Sequence, residues 1–317
     1  MYRYIVITCL SIVTTLFAQD PTESFVNSGG DSLFFISKGT IYCGNNLSYI
    51  RANGIYTPKD GYISYEDIEH GLANPRRHIA SNNFTLGYAL TNRWIVSGTI
   101  PYLISDKFIF HPIEGYERFY QEADENDGVG DIRLNMFRQS SPDSVTMFFM
   151  SLGLKMRNAD WEDSGLGSGQ SDYILGLGFG QIIGKSLILN LNAAYTYTDI
   201  LRYSISYSWN SQNDFYYGTY KYILNPGNFF ELEGHLTKIF NRNLLAGFGV
   251  NGFLQSETFD RGREIKDSGT RGVLISTELS YRILDQRVYS SIAASKLISG
   301  QNVVNSYGLD WGIHVFF

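Results

Sequence analysis

The chain has 317 residues, 44% hydrophobic and only 18% charged, with 32 glycines, 7 prolines and an aromatic share of 15%. That length permits one large β domain or two ordinary ones, and a net charge of −6 argues against nucleic acid as a partner, because phosphate binding needs clustered Lys and Arg. Two cysteines, Cys9 and Cys43, are too few for a disulfide framework, and past residue 20 no run approaches 18 consecutive apolar residues, so no transmembrane helix is expected.

The N-terminus reads as a cleaved signal peptide over residues 1–18. Arg3 supplies a positive start, Ile5 to Phe17 an apolar stretch, and Leu16-Phe17-Ala18 a small-residue cleavage site before Gln19. Cys9 sits inside the apolar stretch rather than at its end, which argues against a lipoprotein anchor. The mature chain then keeps a single thiol, Cys43. Residues 19–37 are polar, include Gly29, Gly30 and Asp31, and read as a short periplasmic leader.

From there to the end, residues 38–317 fall into segments that alternate apolar and polar residues with a period of two, the pattern of a strand with one greasy face. Twelve are expected, at about 38–50, 79–89, 94–105, 128–138, 145–157, 170–183, 186–198, 226–239, 244–257, 270–283, 287–297 and 304–317. Their connections alternate in length. Short turns fall at Leu90–Arg93, Gln139–Ser144, Gly184-Lys185, Phe240–Asn243 and Leu284–Gln286; long loops fall at 51–78, 106–127, 158–169, 199–225, 258–269 and 298–303. A soluble sandwich has no reason to sort its loops this way, whereas an outer-membrane barrel with tight periplasmic turns does. The expected fold is an all-β, antiparallel, up-and-down transmembrane barrel with both termini periplasmic.

The faces agree with that fold. Phe148, Met150, Leu152, Leu154 and Met156 share one face of their segment, and Ser151, Gly153, Lys155 and Arg157 share the other. Over Phe229–Ile239, Glu231, Glu233, His235 and Thr237 oppose Phe230, Leu232, Gly234 and Leu236. A charge at the lipid midplane costs roughly 2–4 kcal/mol for Arg or Lys and somewhat less for Glu, so the two glutamates must face the lumen. Lys238 has lipid parity but lies beside a short turn, where it can snorkel. The first segment and Arg287–Leu297 alternate poorly. The stretch 199–225 is open to two readings: a hairpin above the membrane, or two more membrane strands making fourteen. Twelve is preferred, because a polar turn at Asn210–Asp214 would otherwise force new neighbours on 186–198 and 226–239.

The last segment, Val304–Phe317, carries Tyr307, Leu309, Trp311, Ile313, Val315 and Phe317 on one face. It resembles the terminal strand of bacterial outer-membrane barrels. Three further segments extend the likeness: Tyr88–Tyr102, a hairpin ending in Pro-Tyr; Gly128–Leu134, opening on Gly-x-Gly-Asp; and Leu166–Tyr173, with Gly-Ser-Gly-Gln. Over roughly Phe84–Phe317 the chain resembles the transporter-like outer-membrane family labelled "MetA-pathway of phenol degradation". That resemblance implies uptake of small, aromatic or hydrophobic compounds across a Gram-negative outer membrane. It also implies that Trp311, Ile313, Val315 and Phe317 form the signal read by the outer-membrane assembly machinery.

Candidate lumen residues follow from strand parity: Asp131, Arg133, Lys155, Asp172, Glu231, Glu233, His235, Glu278, Arg282, Asp310 and His314, with Arg157 and Glu257 also assigned inward. They are read as a structural salt-bridge network in a narrow lumen or as the lining of a solute path. The glycine runs Gly128-Val129-Gly130 and Gly165–Gly169 lack the Lys-Ser/Thr of a phosphate cradle and serve strand bends instead. The acidic run Glu122–Asp127 has oxygen ligands for Ca²⁺ but not the spacing of an EF-hand loop, and reads as a solvated loop. No histidine pair has metal spacing, and no local motif supplies an activated nucleophile, so no metal, cofactor or enzyme activity is expected. The expected partners are a lipid bilayer, the assembly machinery and a small solute. Rival readings are a closed barrel that displays its long loops, especially 51–78 and 199–225, and an outer-membrane hydrolase.

Overall fold

The structure is a computed structural model that describes residues 38–57, 61–64, 72–112, 126–140, 145–157, 170–211, 214–283 and 288–317; the expected signal peptide 1–18 and leader 19–37 lie outside the described residues. Every regular element among them is a strand: β1 (Ile41–Thr57), β2 (Gly61–Ser64), β3 (Leu72–Ala89), β4 (Trp94–Pro112), β5 (Asn126–Val129), β6 (Arg133–Ser140), β7 (Thr146–Lys155), β8 (Asp172–Ile183), β9 (Leu187–Thr198), β10 (Leu201–Ser211), β11 (Asp214–Asn225), β12 (Phe229–Ile239), β13 (Leu244–Gln255), β14 (Thr258–Asp260), β15 (Arg263–Ile265), β16 (Thr270–Ile283), β17 (Val288–Gln301) and β18 (Val303–Phe316).

Twelve of these close a barrel in the order β1-β3-β4-β6-β7-β8-β9-β12-β13-β16-β17-β18, with β18 pairing back onto β1. Each expected membrane segment matches one of the twelve. The closing ladder runs antiparallel from Tyr42↔Phe316 to Tyr56↔Val303, with one bulge between Ala52 and Gly54. Ile41 and Phe317 exchange both backbone bonds beyond it, at 3.2 and 2.9 Å.

The turns at one end are short because side chains supply their hydrogen bonds. Thr91 Oγ1 accepts from the N–H groups of Arg93 and Trp94 at 3.1 and 3.0 Å. Asn241 Oδ1 does the same for Asn243 and Leu244 at 2.8 and 2.9 Å. Gly184, at φ 66°, takes the left-handed conformation that the β8–β9 turn requires.

The opposite end differs from the sequence expectation at 51–78, 106–127 and 298–303, and follows its preferred reading at 199–225. The connection 51–78 is largely strand: β1 runs to Thr57, β3 starts at Leu72, and β2 folds back onto β1. The connection 106–127 likewise loses its first part to β4, which runs to Pro112, and its end to β5. The connection 298–303 is not a loop, since Asn302 alone separates β17 from β18 in a left-handed turn at φ 55°. Its amide donates to the carbonyls of Asp267 and Gly269 at 2.6 and 2.8 Å. Finally, β10 and β11 form the hairpin of the first reading, joined through β14 and β15 into a separate four-stranded sheet, so the fourteen-stranded barrel does not occur.

The poor alternation of the first segment has a physical source. β1 alternates strictly in burial, but its inward positions after Tyr42 are Gly44, Asn46 and Ser48, while Asn45 and Arg51 face outward. Hydropathy is therefore blurred where geometry is not. Around the barrel the outward faces carry a continuous apolar set, including Leu47, Phe84, Leu86, Ile100, Leu134, Leu152, Leu177, Leu232 and Leu309, each at least 40% exposed. An apolar band of that size has no place in water, whereas lipid accepts it at no cost. Lys238, the one cation of lipid parity on β12, reaches the turn as its sequence position suggests, with Nζ 2.6 Å from Ser186 Oγ.

Inside, small apolar clusters cap a polar middle. Tyr42, Ala89 and Ile95, with Phe137 and Phe316, and Met147 and Ile188, with Phe149, Ile182 and Ile239, fill the short-turn end. Ile50, Ala52, Ile79 and Val304 cluster near the long-loop end. Leu177 sits at the middle of the outward face of β8 and is 58% exposed. Replacing it with arginine is expected to destabilise the barrel by about 2–4 kcal/mol in vesicle-based urea titrations; an unchanged midpoint would contradict the lipid-facing assignment.

Candidate functional site: the charged lumen

The inward residues sort into three levels. The level nearest the long loops carries both signs of charge. Lys155 and Asp172 stand opposite each other on β7 and β8 and form an ion pair whose side chains are 6% and 8% exposed. Asp131 is buried just before β6, and Gln170 donates toward Asp172 at 3.5 Å. Arg133, in register with Lys155, is within electrostatic reach of Lys155, Asp172 and Glu231 at once. β6 and β12 are four places apart in the strand order, so charges on strands that do not pair act on one another across the lumen at this level. Arg157, expected inward, is exposed beyond the end of β7.

The middle level is acidic, and its carboxylates are held by neutral partners. Asn251 donates to Glu231, and Asn192 Nδ2 donates to Glu233 Oε2 at 3.2 Å. Ser280 donates to Glu278, and Ser48 Oγ donates to Asp310 Oδ1 at 2.5 Å. His235 lies between these groups, with Nδ1 3.1 Å from Thr237 Oγ1 and Nε2 4.0 Å from Glu278 Oε2. Its ring occupies the room left by two glycines: a Cβ at Gly247 would lie 2.4 Å from the ring, and one at Gly249 would lie 2.9 Å from it. The sequence pattern of small inward residues on β13 is thus the complement of one imidazole on β12.

The level at the short-turn end is aromatic and carries Arg282 and His314. The Arg282 guanidinium stands 5.6 Å over the Tyr289 ring, Tyr289 meets Phe316 edge-on at 5.6 Å, and Phe316 meets Tyr42 at 6.2 Å. Tyr42 lies flat across Gly87, where a Cβ would come within 1.9 Å of its ring. His314 fits against Gly44 and Gly312 in the same way. The outward face of β18 carries Trp311, Ile313 and Val315 opposite Leu47, Asn45 and Cys43, and Phe317 is 72% exposed just beyond the strand.

All eleven candidate residues therefore occupy inward positions. Six are carboxylates (Asp131, Asp172, Glu231, Glu233, Glu278, Asp310) and three are basic side chains (Arg133, Lys155, Arg282). The Arg77–Asp106 ion pair on β3 and β4, which includes a 2.8 Å bond from Nε to Oδ1, adds one of each sign and was not anticipated. Only the register of the two strands brings that pair together. Among the described residues no group of three or more His, Cys, Asp or Glu is arranged to hold a metal ion. Of the acidic run, Glu122–Glu125 lie outside the described residues, and Asp127 accepts from the Tyr102 hydroxyl at 3.2 Å.

Glu257 is a correction. It leaves the barrel wall and clamps the turn after β15, accepting from Ser268 N–H, Ser268 Oγ and Gly269 N–H at 2.6, 2.8 and 2.6 Å. Partial burial pushes its carboxyl up, but the hydrogen bonds from Ser268, Gly269 and Asp267 outweigh this and hold it below the usual carboxylate range. A carboxyl lowered on folding contributes stability above its unfolded value of 4.5 and loses it as pH falls through the folded one. Amide exchange at Ser268 and Gly269 is accordingly expected to stay protected at neutral pH and accelerate only below about pH 4.5. Acceleration already on moving from pH 7 to 6 would contradict the clamp.

No protein-family model matches the sequence, and no curated protein is significantly similar to it. Solved structures do match. The COG4313 outer membrane channel from Pseudomonas putida F1 superposes with a TM-score of 0.69, over 91% of this chain and 98% of that one, at 11% identity. The deltaS2S3 mutant of the TodX monoaromatic hydrocarbon channel superposes with a TM-score of 0.50, over 92% and 93%, at 9% identity. At such identities the likeness is one of architecture: this chain has the fold of an outer-membrane β-barrel.

Proposed function

We propose that the protein spans an outer membrane, with its short turns on the periplasmic side, and passes small molecules through its lumen without acting as an enzyme. The observation that carries this reading is the inequality of the lumen charges. The cations Arg133 and Lys155 stand with Asp131 and Asp172 at one end, while Glu231, Glu233, Glu278 and Asp310 are met by neutral amide and hydroxyl groups. Rings of acidic side chains favour cations and repel anions in a low-dielectric pore. The eleven inward residues then line the solute path, and the favoured solutes are small and carry a positive or hydrogen-bonding group.

An aromatic or hydrophobic portion in the solute is supported by two things. One is the resemblance to the phenol-degradation family, together with the fold shared with a monoaromatic hydrocarbon channel. The other is the ring cluster of Tyr42, Phe137, Tyr289 and Phe316 at the short-turn end, which offers faces to a flat apolar group. The four-stranded sheet of β10, β11, β14 and β15 favours a second reading, in which the barrel holds a display surface away from the membrane. Planar-bilayer recording separates the two. Passage predicts channel events and a reversal potential shifted toward cations in a salt gradient, reduced by Glu231→Gln combined with Glu233→Gln. Silence in bilayers together with no liposome swelling would leave only the display reading.

The outward residues Trp311, Ile313 and Val315 and the terminal Phe317 serve, on this proposal, as the strand that the assembly machinery engages. Deleting Phe317 removes both backbone bonds to Ile41. The truncation is expected to lower the amount of folded, membrane-inserted protein several-fold, more than any lumen substitution does. Equal amounts of inserted truncated and full-length protein would show that the stretch is only a strand.

A further inference from the structure

Five adjacent strands carry a row of basic and phenolic residues across the outside of the barrel. Following the register from β17 through β18, β1 and β3 to β4, the residues opposite one another are Lys296, Tyr307, Arg51, His78 and Lys107. Lys296, Tyr307, Arg51 and Lys107 are exposed and His78 is half-buried. At strand spacings near 4.8 Å the row is about 19 Å wide. Arg76 joins it two residues along β3 toward the long-loop end, and both Arg51 and Arg76 act electrostatically on the His78 ring.

The row is organised rather than scattered. Lys296 Nζ stands 5.0 Å over the Tyr307 ring, and the Tyr49 hydroxyl meets His78 Nδ1. The carboxylate at this level of β4, Asp106, turns inward and is taken by Arg77. Among the described residues no carboxylate forms an ion pair with Arg51, Arg76 or Lys296. Gathering Arg51, Arg76 and Lys296 on one face with no carboxylate paired to them among the described residues costs free energy unless an anion joins them. Toward the short-turn end the same strands present Tyr49 and Leu309, then Leu47, Trp311, Ile292 and Tyr102, all exposed. The row therefore marks the edge of the apolar band.

We propose that this row docks the phosphorylated headgroup of a membrane lipid, with its phosphates on Arg51, Arg76 and Lys296 and its acyl chains on the apolar face beneath. The inference rests on the reading that the barrel spans a bilayer. Guanidinium groups bind phosphate oxygens in bidentate fashion, and the tyrosines place the row at the depth where headgroups meet hydrocarbon. A soluble phosphate would gain the electrostatic contacts alone; a lipid gains both halves of the surface.

The test uses the folded full chain in detergent micelles, with diphosphoryl lipid A and phosphatidylcholine as probes and native mass spectrometry as the readout. The wild-type barrel is expected to retain diphosphoryl lipid A at least about tenfold better than the Arg51→Gln, Arg76→Gln, Lys296→Gln variant, with no such difference for phosphatidylcholine. Retention by the variant equal to that of the wild type overturns the proposal. So does displacement of the lipid by millimolar inorganic phosphate alone, which would make the row a site for free anions. A wild-type chain whose gel mobility is the same unheated and boiled would instead remove the membrane-barrel reading on which the proposal stands. A variant that keeps its heat-dependent shift yet loses the lipid supports the proposal without ambiguity about folding.

Discussion

Hydrocarbon offers no hydrogen-bond partner, so each backbone N–H and C=O of a strand that crosses it must be satisfied by another strand. The arrangement of this chain follows from that requirement. A row of strands satisfies all but its two edges, and the edges are satisfied only if the last strand pairs with the first. β1 and β18 do so along their whole length, and the Ile41–Phe317 pair continues the ladder to the end of the chain. Twelve strands then enclose an interior whose width is set by strand number and tilt, and the side chains must fill what that geometry leaves.

How they fill it separates this lumen from an open pore. Inward glycines are complements of large neighbours: Gly87 receives Tyr42, Gly178 receives Phe149, and Gly247 with Gly249 receive His235. The middle level is polar but closely partnered, and the short-turn level is aromatic. On the proposed function, a solute moving along this path would exchange a polar, acidic environment for a ring-lined one. That sequence suits a molecule with a charged or hydrogen-bonding group at one end and a flat apolar group at the other. Outside, at the long-loop rim, β17, β1, β3 and β4 present cations, so on the two proposals above the faces of the wall meet different chemistry: solute inside, lipid headgroups outside.

Much of this was legible in the sequence, for a specific reason. Where one face of a strand meets lipid, a slip of one residue would put a charge such as Glu231 or Glu233 into hydrocarbon, so the period-two pattern fixes orientation as well as element type. β6, β7, β8, β9, β12 and β13 were readable on that basis, and so were their inward residues. What stayed hidden depends on register between strands far apart in sequence. The Arg77–Asp106 pair and the basic row from Lys296 to Lys107 exist only once neighbouring strands are aligned. The extensions of β1, β3 and β4 past the apolar band carry no lipid-facing pattern, so they read as loop. The one-residue turn at Asn302 was hidden by the sequence around it, because nothing local announces that its amide will cap carbonyls of Asp267 and Gly269. Glu257 kept strand parity in the sequence although the chain had already left the wall.

Closure between β1 and β18 is the claim on which the rest stands, and a native thiol lies on the seam. Cys43 is a free cysteine directly opposite Val315, in a pairing where Cα atoms stand about 5.5 Å apart, within the range that a disulfide spans. In a full-length chain carrying Cys9→Ala and Val315→Cys, mild oxidation of the folded barrel is expected to link residues 43 and 315 within one molecule. The product would migrate faster than the reduced form on a denaturing gel. The same experiment with Ile313→Cys, whose partner is Asn45, is expected to give little product. Absence of the 43–315 link in folded protein, or equal linking at 313, would contradict the closed register and the barrel built on it.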